Sequence, residues 1–131
     1  MVWPPTTYAS LLGERLAAQK VRVWLVNTGW TGGPYGVGHR MPIGHTRALI
    51  AAALTGALDN VECEADPVFN IDVPVSCPGV SSEVLQPRKT WNNASDYDSQ
   101  AAELAAMFAK NFASFTESAS AEVVAAGPRT S

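Results

Sequence analysis

The sequence has little positive charge and no long apolar run, and each shortage excludes a class of protein. Nine lysines and arginines stand against twelve acidic residues, which gives a formal net charge of -3. The basic residues are too scattered to neutralise a run of phosphates, so nucleic acid is not an expected partner. The longest apolar run, residues 48–54, is far shorter than the ~20 residues that cross a bilayer. Without a signal-peptide pattern at its start, the sequence predicts a soluble, cytoplasmic protein that does not bind membranes.

Cysteine is also scarce, which limits the sites that can be built from thiols. Cys63 and Cys77 lie 14 residues apart, and the chain has no CxxC pair. In a reducing compartment this spacing favours two buried thiols over a disulfide or half of a zinc site. His39 and His45 lie six residues apart and flank residues 40–44, but no carboxylate or cysteine stands at a spacing that completes a metal site with them. We therefore expect histidines that are solvated or that support neighbouring side chains, and no metal ligands.

Glycine, by contrast, is concentrated in one segment. Residues 24–46 read WLVNTGWTGGPYGVGHRMPIGHT and lie between an apolar run and a stretch of helix formers. Glycine permits positive φ and lets backbone amides approach a ligand closely, and α/β sheets bind ligands in loops of this kind. Neither GxGxxG nor GxxxxGK[ST] is present, so the segment matches neither a Rossmann fingerprint nor a Walker A loop. Glycine content alone leaves two interpretations open, a ligand-binding loop and a turn that only reverses the chain.

The pattern of apolar residues predicts an α/β fold in which helices alternate with short extended segments. Residues 21–26, VRVWLV, predict a strand covered on both faces, as in the parallel part of a sheet. The turn-rich residues 59–87 predict loops with short extended pieces such as 68–73. Helices are predicted from a cap at Thr6 or Thr7 to about Lys20, over 46–58, over 95–116 and over 118–126.

Four residues just after the glycines have the chemistry of a purine pocket. Arg40 supplies a planar cation that can stack on a base or hold a phosphate. Met41 and Ile43 offer apolar walls, and Thr46 offers a hydroxyl near the start of a helix. No carboxylate stands at a readable spacing from a candidate histidine or nucleophile, and Ser81, Ser82 and Thr46 lack a visible base. The residues therefore predict part of a binding site and no catalytic residues.

Several blocks, in order, resemble the ATP-dependent phosphoenolpyruvate carboxykinases. VWLVNTGWTGGPYGVGHRMPIGHTRALI is similar to a block near the carboxyl end of that family, where the text runs through GKRM to a TRA helix. LDNVECEADPVFNIDVPVSCPGVSSEVLQPRKTW is similar to the family's LDNVEY..DP.FGL.VP..CPGVPSE.L.PR.TW. The tail, residues 121–130, and the start, residues 5–9, resemble the family as well.

The resemblance implies a fold, a reaction and a site. Residues 1–131 would be the carboxyl-terminal segment of a mixed-sheet mononucleotide-binding domain, lacking the amino-terminal domain and the kinase loop. The family converts oxaloacetate and ATP to phosphoenolpyruvate, ADP and carbon dioxide with Mg and Mn ions. By resemblance, Arg40 and Met41 contact the nucleotide, Ile43 forms a second wall of the adenine pocket, and Thr46 bonds the base region. His39 departs from the family's lysine, which implies weaker attraction for phosphates.

The resemblance leaves three hypotheses about what the chain does. The first is the carboxyl-terminal portion of the enzyme, inactive alone because its metal ligands, kinase loop and oxaloacetate arginines would lie upstream. The second is a free-standing adenine-nucleotide binding module. The third is a complementation partner that docks on a separate amino-terminal portion through apolar surface.

Overall fold

The computed structural model describes residues 2–129, which form helices and two small sheets. The α-helices are α1 Pro5–Gln19, α2 Ile43–Leu54, α3 Pro87–Thr90, α4 Ala94–Phe112 and α5 Ala121–Ala125. The strands are β1 Trp30–Thr31, β2 His39–Arg40, β3 Cys63–Ala65 and β4 Asp72–Pro74. Two 3₁₀ helices, Ser82–Leu85 and Ala113–Ser118, complete the set. Met1, Thr130 and Ser131 lie outside the described residues, including the last residue of the tail that resembles the family.

The four predicted helices are present, with shifted ends. α1 ends where predicted, because Lys20 adopts a left-handed conformation at φ 50°. Its predicted threonine cap is wrong: the helix begins at Pro5, whose fixed φ suits the first helical position. α2 begins at Ile43, three residues before its predicted start, and ends before Gly56, which has φ +75°.

The carboxyl-terminal helices follow the prediction more closely. α4 begins after Asn93, whose Oδ1 accepts a hydrogen bond of 3.0 Å from the amide of Ser95. This side-chain cap satisfies one of the amides that a helix start leaves free. The predicted helix over residues 95–116 therefore forms to Phe112, and the chain continues as a 3₁₀ helix. α5 is the predicted short final helix, capped by Ser120.

The strand predicted at residues 21–26 is wrong for the described part of the chain. The segment belongs to no strand, and the sheets are two separate antiparallel pairs, β1 with β2 and β3 with β4. A strand needs a neighbour to bond its backbone, and no strand among residues 2–129 pairs with this segment. The structure is thus one of helices with small sheets, and the larger mixed sheet is not formed by the described residues.

The β3–β4 hairpin lies within the turn-rich region. Asp66 organises its turn, since one carboxylate oxygen accepts hydrogen bonds from the amides of Val68 at 2.9 Å and Phe69 at 2.7 Å. Asn70 follows in a left-handed conformation, which asparagine tolerates better than most residues. The extended piece predicted at 68–73 is therefore a turn followed by β4, with Glu64 opposite Val73.

The core is small. Ala52, Leu58 and Cys77 form one buried cluster beneath the half-buried Trp24 and Leu49. Ala101 and Ala105 of α4 are the other buried apolar residues of the described chain. Cys77 is the buried thiol that the sequence predicts, and burial raises its pKa, but the prediction of a second buried thiol is wrong because Cys63 is exposed on β3. No helix in residues 2–129 combines the length and apolar character that crossing a bilayer requires.

Candidate functional site

The glycine-rich segment folds into a hairpin over residues 30–40, here called the glycine hairpin. Trp30 pairs with Arg40 and Thr31 with His39 in antiparallel register. The turn is closed by the carbonyl of Pro34, which accepts hydrogen bonds from the amides of Val37 at 3.0 Å and Gly38 at 2.9 Å. The hairpin therefore presents Arg40 at the end of β2, directly before α2.

Two glycines are required by this geometry. A Cβ on Gly38 would lie 2.6 Å from the carbonyl oxygens of both Gly33 and Thr31, closer than real contacts allow. Gly32 has φ +76°, and a Cβ there would lie 3.2 Å from the His39 ring. Glycine is thus needed because the two arms of the hairpin approach each other closely. This close approach also determines the position of the backbone at Arg40.

Thr90, at the end of α3, anchors the glycine hairpin to the rest of the chain. Its Oγ1 accepts a hydrogen bond of 3.2 Å from the amide of Gly32 and lies 3.4 Å from the Oγ1 of Thr31. The same hydroxyl donates to the carbonyl of Pro87 at 2.7 Å. Sequence analysis missed this contact because 58 residues separate Thr90 from Gly32 and no local pattern connects them.

Arg40 and Met41 lie where the hairpin joins α2. The amide of Met41 donates a hydrogen bond of 2.7 Å to the carbonyl of Gly29, which extends the pairing of the two arms by one residue. Met41 is half-buried, while Arg40 is exposed. The ion pairs among residues 2–129 join Arg22 to Asp59 and Arg88 to Asp98. No carboxylate of these residues lies within 4.0 Å of the Arg40 guanidinium. The guanidinium is therefore available to an anion or an aromatic ring.

Ile43 and Thr46 belong to the first turn of α2. Ile43 is 69% exposed and Thr46 is half-buried. The carbonyl of Pro42 accepts from the amides of His45 at 2.9 Å and Thr46 at 3.4 Å, so the chain turns into the helix immediately after Met41. The four predicted pocket residues are thus brought together along one hairpin-to-helix junction, with two side chains exposed and two half-buried.

Two cavities of the described chain lie outside this junction. A cavity of about 240 Å³ lies between the glycine hairpin and the start of α4, where its polar lining comes from Asn92, Asn93, Asp96 and Gln100. A second cavity of about 250 Å³ lies between the β3–β4 hairpin and α4 and includes Tyr97, whose pKa is raised by burial and by Asp66. Neither cavity is lined by Arg40, Met41, Ile43 or Thr46.

The two histidines stand next to predicted pocket residues, His39 directly before Arg40 and His45 directly before Thr46. His39 is exposed on β2, and His45 is half-buried in the first turn of α2 with its Nδ1 lacking a hydrogen-bond partner. Within residues 2–129 no group of three or more histidine, cysteine or acidic side chains is arranged to hold a metal ion.

Comparison with known proteins gives the family. The family model described as phosphoenolpyruvate carboxykinase, in its ATP-dependent form, matches residues 1–83. The chain therefore belongs to the ATP-dependent phosphoenolpyruvate carboxykinase family. This finding confirms the family that the sequence blocks resemble.

Individual relatives show how much of that family the chain contains. It is 53% identical over 126 residues to the phosphoenolpyruvate carboxykinase (ATP) of Thermus thermophilus. The matched residues make up 96% of this chain and 24% of the relative. The enzyme of the same name from Brevibacillus brevis is 54% identical, covering 95% of the chain and 24% of the relative. That of Parvibaculum lavamentivorans is 54% identical, covering 95% and 23%. The chain thus spans about a quarter of the length of the curated relatives it matches.

Proposed function

We propose that the chain is the carboxyl-terminal portion of an ATP-dependent phosphoenolpyruvate carboxykinase and that it lines the adenine pocket. The whole enzyme would convert oxaloacetate and ATP to phosphoenolpyruvate, ADP and carbon dioxide in gluconeogenesis. The proposal rests on Arg40, a guanidinium with no carboxylate partner among residues 2–129, held at the end of the glycine hairpin. Resemblance in ordered blocks supplies the reaction, and the hairpin supplies a physical reason for the position of this cation.

The junction residues fit the base of a nucleotide. Arg40 would stack on the purine or hold a phosphate oxygen, since its guanidinium is planar and carries five donors. Met41 and Ile43 would contact the two apolar faces of the base, and the hydroxyl of Thr46 would bond its polar edge. The exposure of Arg40 and Ile43 in this chain is consistent with a pocket whose remaining walls come from the rest of the enzyme.

The metal ions of the reaction would be held elsewhere. Residues 2–129 contain no group of three or more histidine, cysteine or acidic side chains arranged for a metal ion, and by resemblance the metal ligands lie upstream of this segment. Phosphoryl transfer needs positioned phosphates and neutralisation of their developing charge by metal, lysine and arginine. We therefore expect no turnover by the isolated chain, and measurable carboxykinase activity from it alone would contradict the proposal.

A chimera tests the assignment of Arg40 in a complete enzyme. This chain would replace the aligned 126-residue segment of the Thermus thermophilus relative, and activity of the chimera is the first expected result. Arg40→Ala should then raise the KM for ATP about 10- to 100-fold, because a charged hydrogen bond or stack is worth ~1.5–3 kcal/mol. Arg15→Ala, which removes an exposed arginine of α1, is the control and should leave the KM unchanged.

Two results of this experiment would count against the proposal. An inactive but folded chimera would show that the chain cannot serve as the carboxyl-terminal portion of the enzyme. An active chimera with the same KM for ATP after Arg40→Ala would remove Arg40 from the nucleotide site and leave the family assignment intact.

One observation favours a second candidate, a free-standing adenine-nucleotide binding module. The hairpin-to-helix junction that carries Arg40 is formed entirely within this chain by its own hydrogen bonds. Calorimetric titration of the isolated chain with ATP distinguishes the two functions. Binding at micromolar ATP would favour the module, whereas no heat at millimolar ATP would exclude it and leave the carboxyl-terminal portion as the function.

A further inference from the structure

The hydroxyl of Thr90 makes all the hydrogen bonds that a hydroxyl can make, and two of them go to the glycine hairpin. A hydroxyl has one proton to donate and two lone pairs that accept. The proton is donated to the carbonyl of Pro87 at 2.7 Å. The lone pairs accept from the amide of Gly32 at 3.2 Å and from the hydroxyl of Thr31 at 3.4 Å. Because the proton is used within α3, both lone pairs remain for the hairpin.

These two bonds are the hydrogen-bonded link between the glycine hairpin and the other elements of residues 2–129. The remaining hydrogen bonds of the hairpin close it on itself. Its turn is uncovered, since Tyr35 and Val37 are 84% and 69% exposed. The hairpin is therefore held at its first arm, beside Thr90, and not through burial of its turn.

Thr90 itself is fixed by contacts of its neighbours with α4. Arg88 donates two hydrogen bonds to the carboxylate of Asp98, at 2.7 and 2.9 Å. Trp91, directly after Thr90, meets the ring of Tyr97 edge to face with the centroids 5.6 Å apart, a geometry that aromatic pairs prefer. Both partners lie on the 19-residue α4. The hydroxyl therefore has a support that does not depend on the hairpin.

A short path through the hairpin connects Thr90 to Arg40. Thr31 pairs with His39, the residue directly before Arg40. Gly32 lies between His39 and Thr90, since a Cβ there would be 3.2 Å from the His39 ring and 3.4 Å from the Thr90 carbonyl oxygen. A shift of the first arm at Thr90 would therefore move the second arm at the point from which the Arg40 side chain extends.

We propose that Thr90 is a positioning residue for nucleotide binding. Its hydroxyl holds the glycine hairpin in the place where the Arg40 guanidinium meets the purine or a phosphate of the nucleotide. Thr90 acts through the hairpin and does not itself contact the nucleotide. This inference rests on the proposed function, in which Arg40 contacts the nucleotide, and it adds a residue from outside the hairpin-to-helix junction.

The simpler alternative is a threonine that only closes its own helix. Thr55, at the end of α2, is such a residue, because its hydroxyl donates to the carbonyl of Ala51 at 2.8 Å and lies 3.5 Å from that of Ala52. Thr90 makes the same kind of local bond to Pro87 and has the two bonds to the hairpin in addition. Thr55→Val is therefore a matched control that removes a local bond alone.

Kinetics of the chimera with the Thermus thermophilus relative test the role of Thr90. Thr90→Val should raise the KM for ATP about 3- to 10-fold and leave kcat within about 2-fold, because the lost hydrogen bonds affect nucleotide binding and not the chemical step. Thr90→Ala takes its place if that variant does not fold. Thr90→Ser keeps the hydroxyl and should restore the KM, and Thr55→Val should change neither constant. An unchanged KM in Thr90→Val, or an equal rise in Thr90→Ser, would overturn the inference.

A double variant tests whether Thr90 acts through Arg40. Arg40→Ala combined with Thr90→Val should have the KM of Arg40→Ala alone, since the residue to be positioned is then missing. A further rise by the factor that Thr90→Val causes alone would overturn the inference. So would an unchanged KM in Arg40→Ala, which counts against the proposed nucleotide site as well. A raised KM in Arg40→Ala with an unchanged KM in Thr90→Val would remove Thr90 and leave the proposed function standing.

Hydrogen exchange measured by mass spectrometry gives a readout that does not need activity. The peptide over residues 30–40 should exchange about 3- to 10-fold faster in the Thr90→Val chimera than in the Thr90→Ser chimera, because the amide of Gly32 loses its acceptor. Equal exchange in the two variants would overturn the inference. Faster exchange in a folded chimera without activity would support the contact of Thr90 with the hairpin and count against the proposed function.

Discussion

At the scale of single residues, the glycine hairpin depends on glycines that have no Cβ atom. Gly38 is the tightest position, since a side chain there would meet two carbonyl oxygens at 2.6 Å. The hairpin can therefore close only if this position has no Cβ. The closed hairpin pairs Trp30 with Arg40, and this pairing fixes the direction in which the Arg40 side chain extends from the backbone.

Gly38→Ala should therefore disrupt the hairpin. We expect the change to destabilise the chimera by about 1–3 kcal/mol, the usual cost of forcing extra atoms into a packed site, and to raise its KM for ATP. Urea denaturation and steady-state kinetics measure the two effects. Gly44→Ala is the control, because a Cβ there meets nothing within 4 Å and lies in α2, where alanine favours the helix by up to about 1 kcal/mol. Equal stability of the two variants would show that the hairpin opens without cost.

The sequence predicted residue chemistry better than residue surroundings. Arg40 and Met41 could be selected because their chemistry stands next to a glycine segment, and they lie at and just after the end of β2. Their contact with a nucleotide stays a prediction. Thr90 could not be selected, since its role arises only when α3 packs beside the hairpin. Cys63 was expected to be buried, but all three residues of β3 are exposed.

At the scale of elements, one ion pair holds α3 to α4. Arg88 donates two hydrogen bonds to the carboxylate of Asp98, from Nε at 2.7 Å and from an Nη at 2.9 Å. Hydrogen bonding to Arg88 lowers the pKa of Asp98 and raises that of the guanidinium. Because the folded-state pKa of Asp98 lies below its unfolded value, the pair stabilises the fold above the unfolded pKa and is lost as the pH falls through the folded one.

Asp98→Asn should therefore change how stability depends on acid. Between pH 7 and pH 3 the chimera should lose stability more steeply with Asp98 than with asparagine, and the difference between them should be largest at neutral pH. Urea midpoints measured across this range test the expectation. Glu103→Gln removes an exposed carboxylate of the same helix that makes no ion pair among the described residues, so its pH profile should match that of the unchanged chimera.

Elements with local causes were predicted well, and elements that need distant partners were not. α4 follows from an apolar stripe and an Asn93 cap that lie within its own sequence. α2 was placed three residues late because Pro42 and Ile43, which start it, resemble the loop before them more than the helix after them. Residues 21–26 have the composition of a buried strand, but a strand forms only when another backbone lies beside it.

At the scale of the whole molecule, the described chain buries little and exposes much. Its buried apolar residues are Leu58, Cys77 and three alanines. Trp3, Leu25, Leu54 and Phe108 are each at least half exposed. Surface of this extent in a protein of the family is consistent with a chain that spans a quarter of its relatives' length.

The isolated chain should therefore lack a cooperative thermal transition. Small cores offset little of the conformational entropy lost on folding, so we expect a broad calorimetric profile, binding of a hydrophobic dye and a tendency to aggregate. The chimera is the comparison and should melt sharply with weak dye binding. A narrow two-state transition from a monodisperse isolated chain would contradict the expectation.

The contrast between the two thiols has a practical consequence. Cys63 stands exposed on β3, whereas Cys77 is buried and burial raises its pKa, which lowers its share of reactive thiolate. A maleimide fluorophore would therefore attach at one position of the unaltered sequence. Energy transfer from that label to a second dye on the remainder of the Thermus thermophilus relative would measure any assembly of the two in real time, without engineered cysteines in this chain.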